Sequence, residues 1–176
     1  MTKQILIAGF GGQGILFTGK FLASGALIED KQVSWLPSYG PEMRGGTANC
    51  SVIVSDELIG SPIVLKPDIL VAMNLPSYTK FVDDVKPGGT LLVDSSLIGE
   101  TTAREDITAH YVPATKIASD EGFGTLANMI MLGKLLKETN LLAPETVEAT
   151  LAKVVPPKKQ ELLELNRRAI ALGMSL

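Results

Sequence analysis

"QILIAGFGGQGILFTGKFLASGALI", residues 4–28, decides the fold. Residues 4–9 hold four apolar side chains in six and end on glycine, the pattern of a buried strand closed by a turn. Residues 14–29 are apolar on nearly every side, which predicts a helix covered by other structure rather than one with a wet face. Between them lies "GFGGQG", where glycine lets the backbone reverse within a few residues. A strand, a tight turn and a buried helix open a βαβ unit.

Further along, "QVSWL" (32–36) reads as a second strand. "TANCSVIVSDELIGSPIV" (47–64) alternates around Val52 and Val54 and carries a polar Ser55-Asp56-Glu57 turn, which predicts a hairpin there. "PDILVAM" (67–73), "TLLVD" (90–94) and "ITAHYVP" (107–113) are further strands, with a short proline-started helix at 76–85. From residue 114 the pattern is helical, and three amphipathic stretches at 125–139, 143–155 and 158–173 cover one side of the sheet. The predicted fold is α/β: a three-layer αβα sandwich on a mostly parallel, Rossmann-like sheet, with an antiparallel hairpin element and C-terminal helices. With no repeat or linker, 176 residues make one domain, 1–176.

Composition removes several functions. A net charge of −3 without like-charge blocks argues against nucleic acid or an anionic membrane as partner. The N-terminal apolar run is too short for a signal segment, and no stretch approaches the roughly 20 residues of a spanning helix. The expected location is cytoplasmic. One cysteine, Cys50, excludes an internal disulfide and a cluster held by four thiolates of this chain alone. One histidine, His110, argues against a self-contained zinc site, so no metal ligand and no catalytic residue is assigned.

Gly9, Gly11 and Gly14 fit the G-x-G-x-x-G spacing of a dinucleotide turn, and a following helix aims free N–H groups at an anion. The rest of that fingerprint is missing. The ribose-binding acid belongs at the end of the second strand, whereas that strand runs into "SWLPSYG" and Asp30 precedes it. "GILFTGK" (14–20) mimics a P-loop, but Phe21 stands where Ser or Thr would hold magnesium. The additional Gly12 and the polar Gln13 point to contact with something outside the chain.

A second glycine-rich segment, "PSYGPEMRGGTANC" (37–50), has two prolines that stiffen it and three glycines that open unusual backbone angles. A stiffened loop lowers the ordering cost of presenting Tyr39, Glu42, Met43 and Arg44, which include types enriched at interfaces. The candidate cofactor-binding or subunit-interface residues are therefore Gly9, Gly11, Gly12, Gln13, Gly14, Tyr39, Gly40, Pro41, Glu42, Arg44, Gly45 and Gly46. Both segments follow strands and are expected at one carboxyl edge, where open α/β sheets bind ligands.

Together, "GFGGQGI" (9–15) and "PSYGPEMRGGTANCSVIVSDELIGSPIV" (37–64), continuing through "PDILVAMN" to "NMIMLGKLL", resemble the gamma subunit of the 2-oxoacid:ferredoxin (acceptor) oxidoreductases. Pyruvate-type gamma chains resemble "GRGGQG" followed by "FGPERRGAP". Phe10 and the "GGTANC" after Arg44 are more like the 2-oxoglutarate type, with branched-chain and indolepyruvate relatives still open. The resemblance implies a single gamma-type catalytic domain of the pyruvate/ketoisovalerate oxidoreductases, in a complex that decarboxylates a 2-oxoacid, transfers acyl to coenzyme A and reduces ferredoxin or another acceptor. It implies alpha, beta and delta partner subunits in a heterotetramer. Thiamine diphosphate, Mg2+ and [4Fe-4S] clusters are expected on the partners, and none on this chain alone. Two other readings stay open: a stand-alone NAD(P)- or FAD-binding oxidoreductase, and a regulatory module that senses a nucleotide or coenzyme A.

Overall fold

The computed structural model describes residues 1–38 and 47–176. Its chain order is β1 (Thr2–Gly9), α1 (Ile15–Ile28), β2 (Gln32–Ser38), β3 (Ala48–Ser55), β4 (Ile69–Ala72), α2 (Leu75–Phe81), β5 (Thr90–Asp94), β6 (Thr108–Val112), α3 (Ala114–Asp120), α4 (Ala127–Thr139), α5 (Pro144–Val154) and α6 (Gln160–Ser175). Six strands form one sheet in the order β2-β3-β1-β4-β5-β6. β1, β4, β5 and β6 are mutually parallel, whereas β3 lies antiparallel to both of its neighbours. β2 therefore runs in the same direction as β1, and only β3 is reversed. The three-layer α/β sandwich with a mostly parallel sheet and C-terminal helices is the architecture the sequence predicts.

The antiparallel element sits elsewhere than expected. Ser55-Asp56-Glu57 closes no hairpin, because β3 pairs backward with β2 and β1, and residues 56–68 contain no strand. Two features of the sequence explain this. β3 is buried on both faces, as a strand between two others must be. Gly60 and Pro62 break any ladder in the stretch that would have been the return strand.

Alternation along the strands separates two cores. Ile5, Ile7, Val52, Val71 and Leu92 face one side, where α1 and α4 lie on the sheet and α3, α5 and α6 complete the cover. Leu6, Leu70, Leu91 and Val93 face the other, covered by Tyr78 of α2 and by Val85 and Ile98. Each such side chain stabilises the fold by roughly 1.5–3 kcal/mol relative to exposure. On the thick side α4 and α6 approach backbone to backbone: a Cβ at Gly133 would stand 2.1 Å from the Ile170 carbonyl oxygen. Capping fixes α2, since Asn74 Oδ1 accepts from the Ser77 N–H at 2.9 Å and proline occupies the first turn.

α1 follows β1 onto the thick face, and α2 follows β4 onto the thin one. β1 and β4 are parallel neighbours, and the chain leaves their carboxyl ends toward opposite faces. That divergence is a topological switch point, where a crevice opens in sheets of this kind.

Candidate functional site

The glycine turn fills the space above β1. Gly12 and Gly14 have φ of 89° and 76°, angles that side-chain-bearing residues rarely adopt. Gly14 is the N-cap of α1 and has no side chain, so among the described residues it leaves the N–H groups of the first helical turn without an N-cap side-chain bond. Those donors, together with the positive end of the helix dipole, are what the turn offers an anion.

The polar side chains around the turn are held inward. Gln13 Oε1 accepts from the Phe10 N–H at 2.6 Å, and its Nε2 donates to the Met73 carbonyl at 2.9 Å. Sequence reasoning aimed Gln13 at an outside partner; the structure uses both ends of its amide to tie the turn to the end of β4. Asn128, on α4 and almost fully buried, donates from Nδ2 to Thr18 Oγ1 at 3.1 Å and to the Gly14 carbonyl at 3.3 Å. Thr18 Oγ1 in turn donates to the same carbonyl at 3.1 Å. Asn128 packs so closely that a Cβ on Gly14 would lie 2.4 Å from its Nδ2. At the end of β5, fully buried Asp94 accepts from Thr115 Oγ1 at 2.5 Å and from the Thr115 and Ser96 N–H groups.

With those side chains engaged, the turn presents backbone. Three clefts meet at Gly12. One, of about 280 Å³, lies between Phe10, Leu16, Phe17 and Ala48. A second, of about 210 Å³, occupies the switch point between Gln13, Met73, Leu97, Thr115 and Gly124. A third, also about 210 Å³, runs past Phe17, Thr125, Asn128 and Leu162. A Cβ at Gly12 would meet nothing within 4 Å, so its Cα is open to the clefts.

Gly9, Gly11, Gly12, Gln13 and Gly14 are thus brought to one site, where Gly9 is buried and Gly11, Gly12, Gln13 and Gly14 line the clefts. Tyr39, Gly40, Pro41, Glu42, Arg44, Gly45 and Gly46 lie outside the described residues. The strands that flank them do support a common edge: Ser38 pairs with Asn49, which pairs with Ala8 beside the glycine turn. The sequence leaves Asn128 open between reaching a loop of the sheet, reaching a partner and lying on a helix surface, and the structure gives it the first role. Leu97, Thr115 and Thr125 as walls were not read from the sequence. Gly122 and Gly124, with φ of 70° and 60°, shape the 121–126 connector, and their proximity in sequence was the available signal.

The geometry differs from a dinucleotide-binding sheet in one respect. There the second strand lies beside the first and carries the ribose acid at its tip. Here reversed β3 separates β2 from β1. Cys50 is buried under α1, and burial pushes its thiol up to about 12, the behaviour of an inert core cysteine. His110 sits on β6 with Nε2 3.5 Å from Glu138 Oε2, away from the turn, and burial lowers its pKa. Among the described residues no group of three or more His, Cys, Asp or Glu side chains is placed to hold a metal, and no helix is long and apolar enough to cross a membrane.

Residues 4–176 match the family Pyruvate ferredoxin/flavodoxin oxidoreductase. The chain is 42% identical to 2-oxoglutarate synthase subunit KorC of Methanocaldococcus jannaschii, over 92% of this chain and 88% of that one. Its fold matches the keto/oxoacid ferredoxin oxidoreductase gamma subunit of Geobacter sulfurreducens, with a TM-score of 0.83, 31% identity and coverage of 98% and 96%. It also matches a chain of the 2-oxoglutarate:ferredoxin oxidoreductase of Magnetococcus marinus solved with 2-oxoglutarate, coenzyme A and succinyl-CoA (TM-score 0.88, 25% identity), spanning 99% of this chain but 30% of that one. The chain belongs to the pyruvate ferredoxin/flavodoxin oxidoreductase family, as a gamma-type subunit of a 2-oxoacid:ferredoxin oxidoreductase.

Proposed function

We propose that this subunit completes a 2-oxoglutarate:acceptor oxidoreductase by walling the approach of coenzyme A to a thiamine diphosphate held on partner subunits. The observation that carries this reading is the convergence of three clefts on Gly12, beside a helix start without a side-chain cap at the switch point of the sheet. Such a surface suits a ligand with phosphate or carbonyl oxygens, and among the described residues its lining includes no His, Cys, Lys, Asp or Glu. The chain's own groups bind and orient, while the partners supply the chemistry. When bound there, thiamine diphosphate would supply carbanion stabilisation and the clusters electron transfer. A lone cysteine leaves this chain without the donor set for such a cluster.

Support for 2-oxoglutarate over other 2-oxoacids comes from the "GGTANC" segment and from the substrate in the names of the Methanocaldococcus and Magnetococcus relatives. In this reading the subunit acts in the cytoplasm with alpha, beta and delta partners, and the 39–46 segment with Arg44 belongs to the same docking edge. The test is Gly12→Ala in the reconstituted complex. KM for coenzyme A is expected to rise about tenfold while KM for the 2-oxoacid moves less than about twofold. An unchanged coenzyme A response would remove the turn from its assigned role. Tight NAD or FAD binding by the purified subunit would favour a stand-alone enzyme instead.

A further inference from the structure

The amino end of the sheet carries a surface that the carboxyl-edge clefts do not use. β3 ends there, and the chain crosses to β4 through residues 56–68. This strap passes over the thin face, enclosing a cleft of about 210 Å³ with Thr2, Gln4, Ile53 and Ser55 beneath it. From Leu58 to Leu65 eight successive residues are uncharged, and Leu58, Ile63 and Leu65 are 90%, 59% and 77% exposed. None of the three belongs to either core cluster, so packing within the chain does not account for their apolar character.

We propose that the strap from Leu58 to Leu65 is a second docking surface, seated against an apolar surface of another polypeptide of the same oxidoreductase. The subunit is then gripped at both ends of its sheet. This rests on the reading that the chain works inside a multisubunit enzyme. Glu57 and Lys66 bracket the strip with one charge of each sign and no basic cluster, which suits an uncharged protein surface better than phosphate or lipid headgroups. A second copy of this chain fits less well. A stable interface takes roughly 800 Å² from each partner, more than three side chains facing the same three would supply. A large sister polypeptide meets the requirement, since it can surround the strip with further contacts. In the Magnetococcus enzyme the matching region is 30% of one polypeptide, so most of that chain is tethered to this domain and available to cover it.

The test is the double variant Leu58→Glu/Leu65→Glu, co-expressed with the partner subunits. Both side chains are exposed, so the isolated variant should keep the wild-type circular dichroism and unfolding midpoint, while its affinity for the partners falls at least about tenfold. If wild type assembles and the variant assembles equally tightly, the strap proposal is overturned and the functional reading stands. If wild type joins no such partner, both fall. Should the isolated wild type self-associate in sedimentation, and the variant lose that while still entering the complex, the occupant is a second copy and the proposal is likewise overturned.

Discussion

The two ends of the sheet handle polar groups in opposite ways. At the amino end, charged side chains neutralise one another: Lys86 with Asp68 at 3.1 Å, Lys134 with Glu138 at 2.6 Å, and Lys31 with Asp56. At the carboxyl end, Gln13, Asn128 and Asp94 bond mainly to backbone and hold loops in place. What lines the clefts there is glycine backbone at the helix start together with side-chain walls such as Phe10, Leu97 and Thr125. One end is closed by ion pairs, and its exposed feature is an apolar strap. The other is a surface of glycine backbone and cleft walls, held in place by polar side chains whose amide and carboxylate groups are bonded within the chain.

The sharpest way to break this comparison is at Gly14. Alanine there would combine a left-handed backbone angle with a Cβ 2.4 Å from Asn128 Nδ2. The two effects together should destabilise the isolated subunit by roughly 2–4 kcal/mol in urea unfolding. Gly12→Ala has the angle without the collision and should cost only about 1 kcal/mol. Equal losses at the two positions would mean that the Asn128 brace contributes nothing. Next in size is Gln13→Leu, which leaves the Phe10 N–H and the Met73 carbonyl without their partners. Water reaches part of this site, so about 1 kcal/mol is expected. The variant's coenzyme A KM should rise through loss of turn geometry, and Gln13→Glu, which keeps an acceptor for Phe10, should recover part of it. If Gln13→Leu changed neither stability nor KM, the inward brace would have no function.

Much of the fold was legible because its signals are local. "TLLVD" predicts β5 to the residue, and the apolar run after the glycine turn predicts a helix covered by other structure. The reversed strand was misplaced because alternation shows that Val52 and Val54 share a face, and says nothing of which neighbour they pair with. The glycine turn was recognisable by spacing, but the direction of Gln13 was not. Its partners are Phe10, three residues away, and Met73, sixty residues on, and only the β1–β4 pairing brings the second within reach. Asn128 was ambiguous for the same reason, being more than a hundred residues from the carbonyl it holds.

The smallest effect expected belongs to the amino end, at Asp56, just before the apolar strap. The Lys31 ammonium hydrogen-bonds its carboxylate, and with help from the chain's α-amino group lowers its pKa from 3.8 to about 2. A carboxylate whose folded pKa is depressed contributes stability that is present above the unfolded value and lost as pH falls through the folded one. Asp56→Asn should therefore lower the unfolding midpoint by a small, constant amount above about pH 4, and the difference should shrink to nothing towards about pH 2. Because the pair is exposed, moderate salt should erase most of it even at neutral pH. A difference that persisted unchanged to the acid limit, or resisted salt, would show that Asp56 acts by shaping the entry to the strap rather than by its charge. In that case Asp56 would join Asp68, whose Oδ2 accepts from the Gln4 N–H at 2.7 Å, in holding backbone at the amino end, and the contrast between the two ends would weaken.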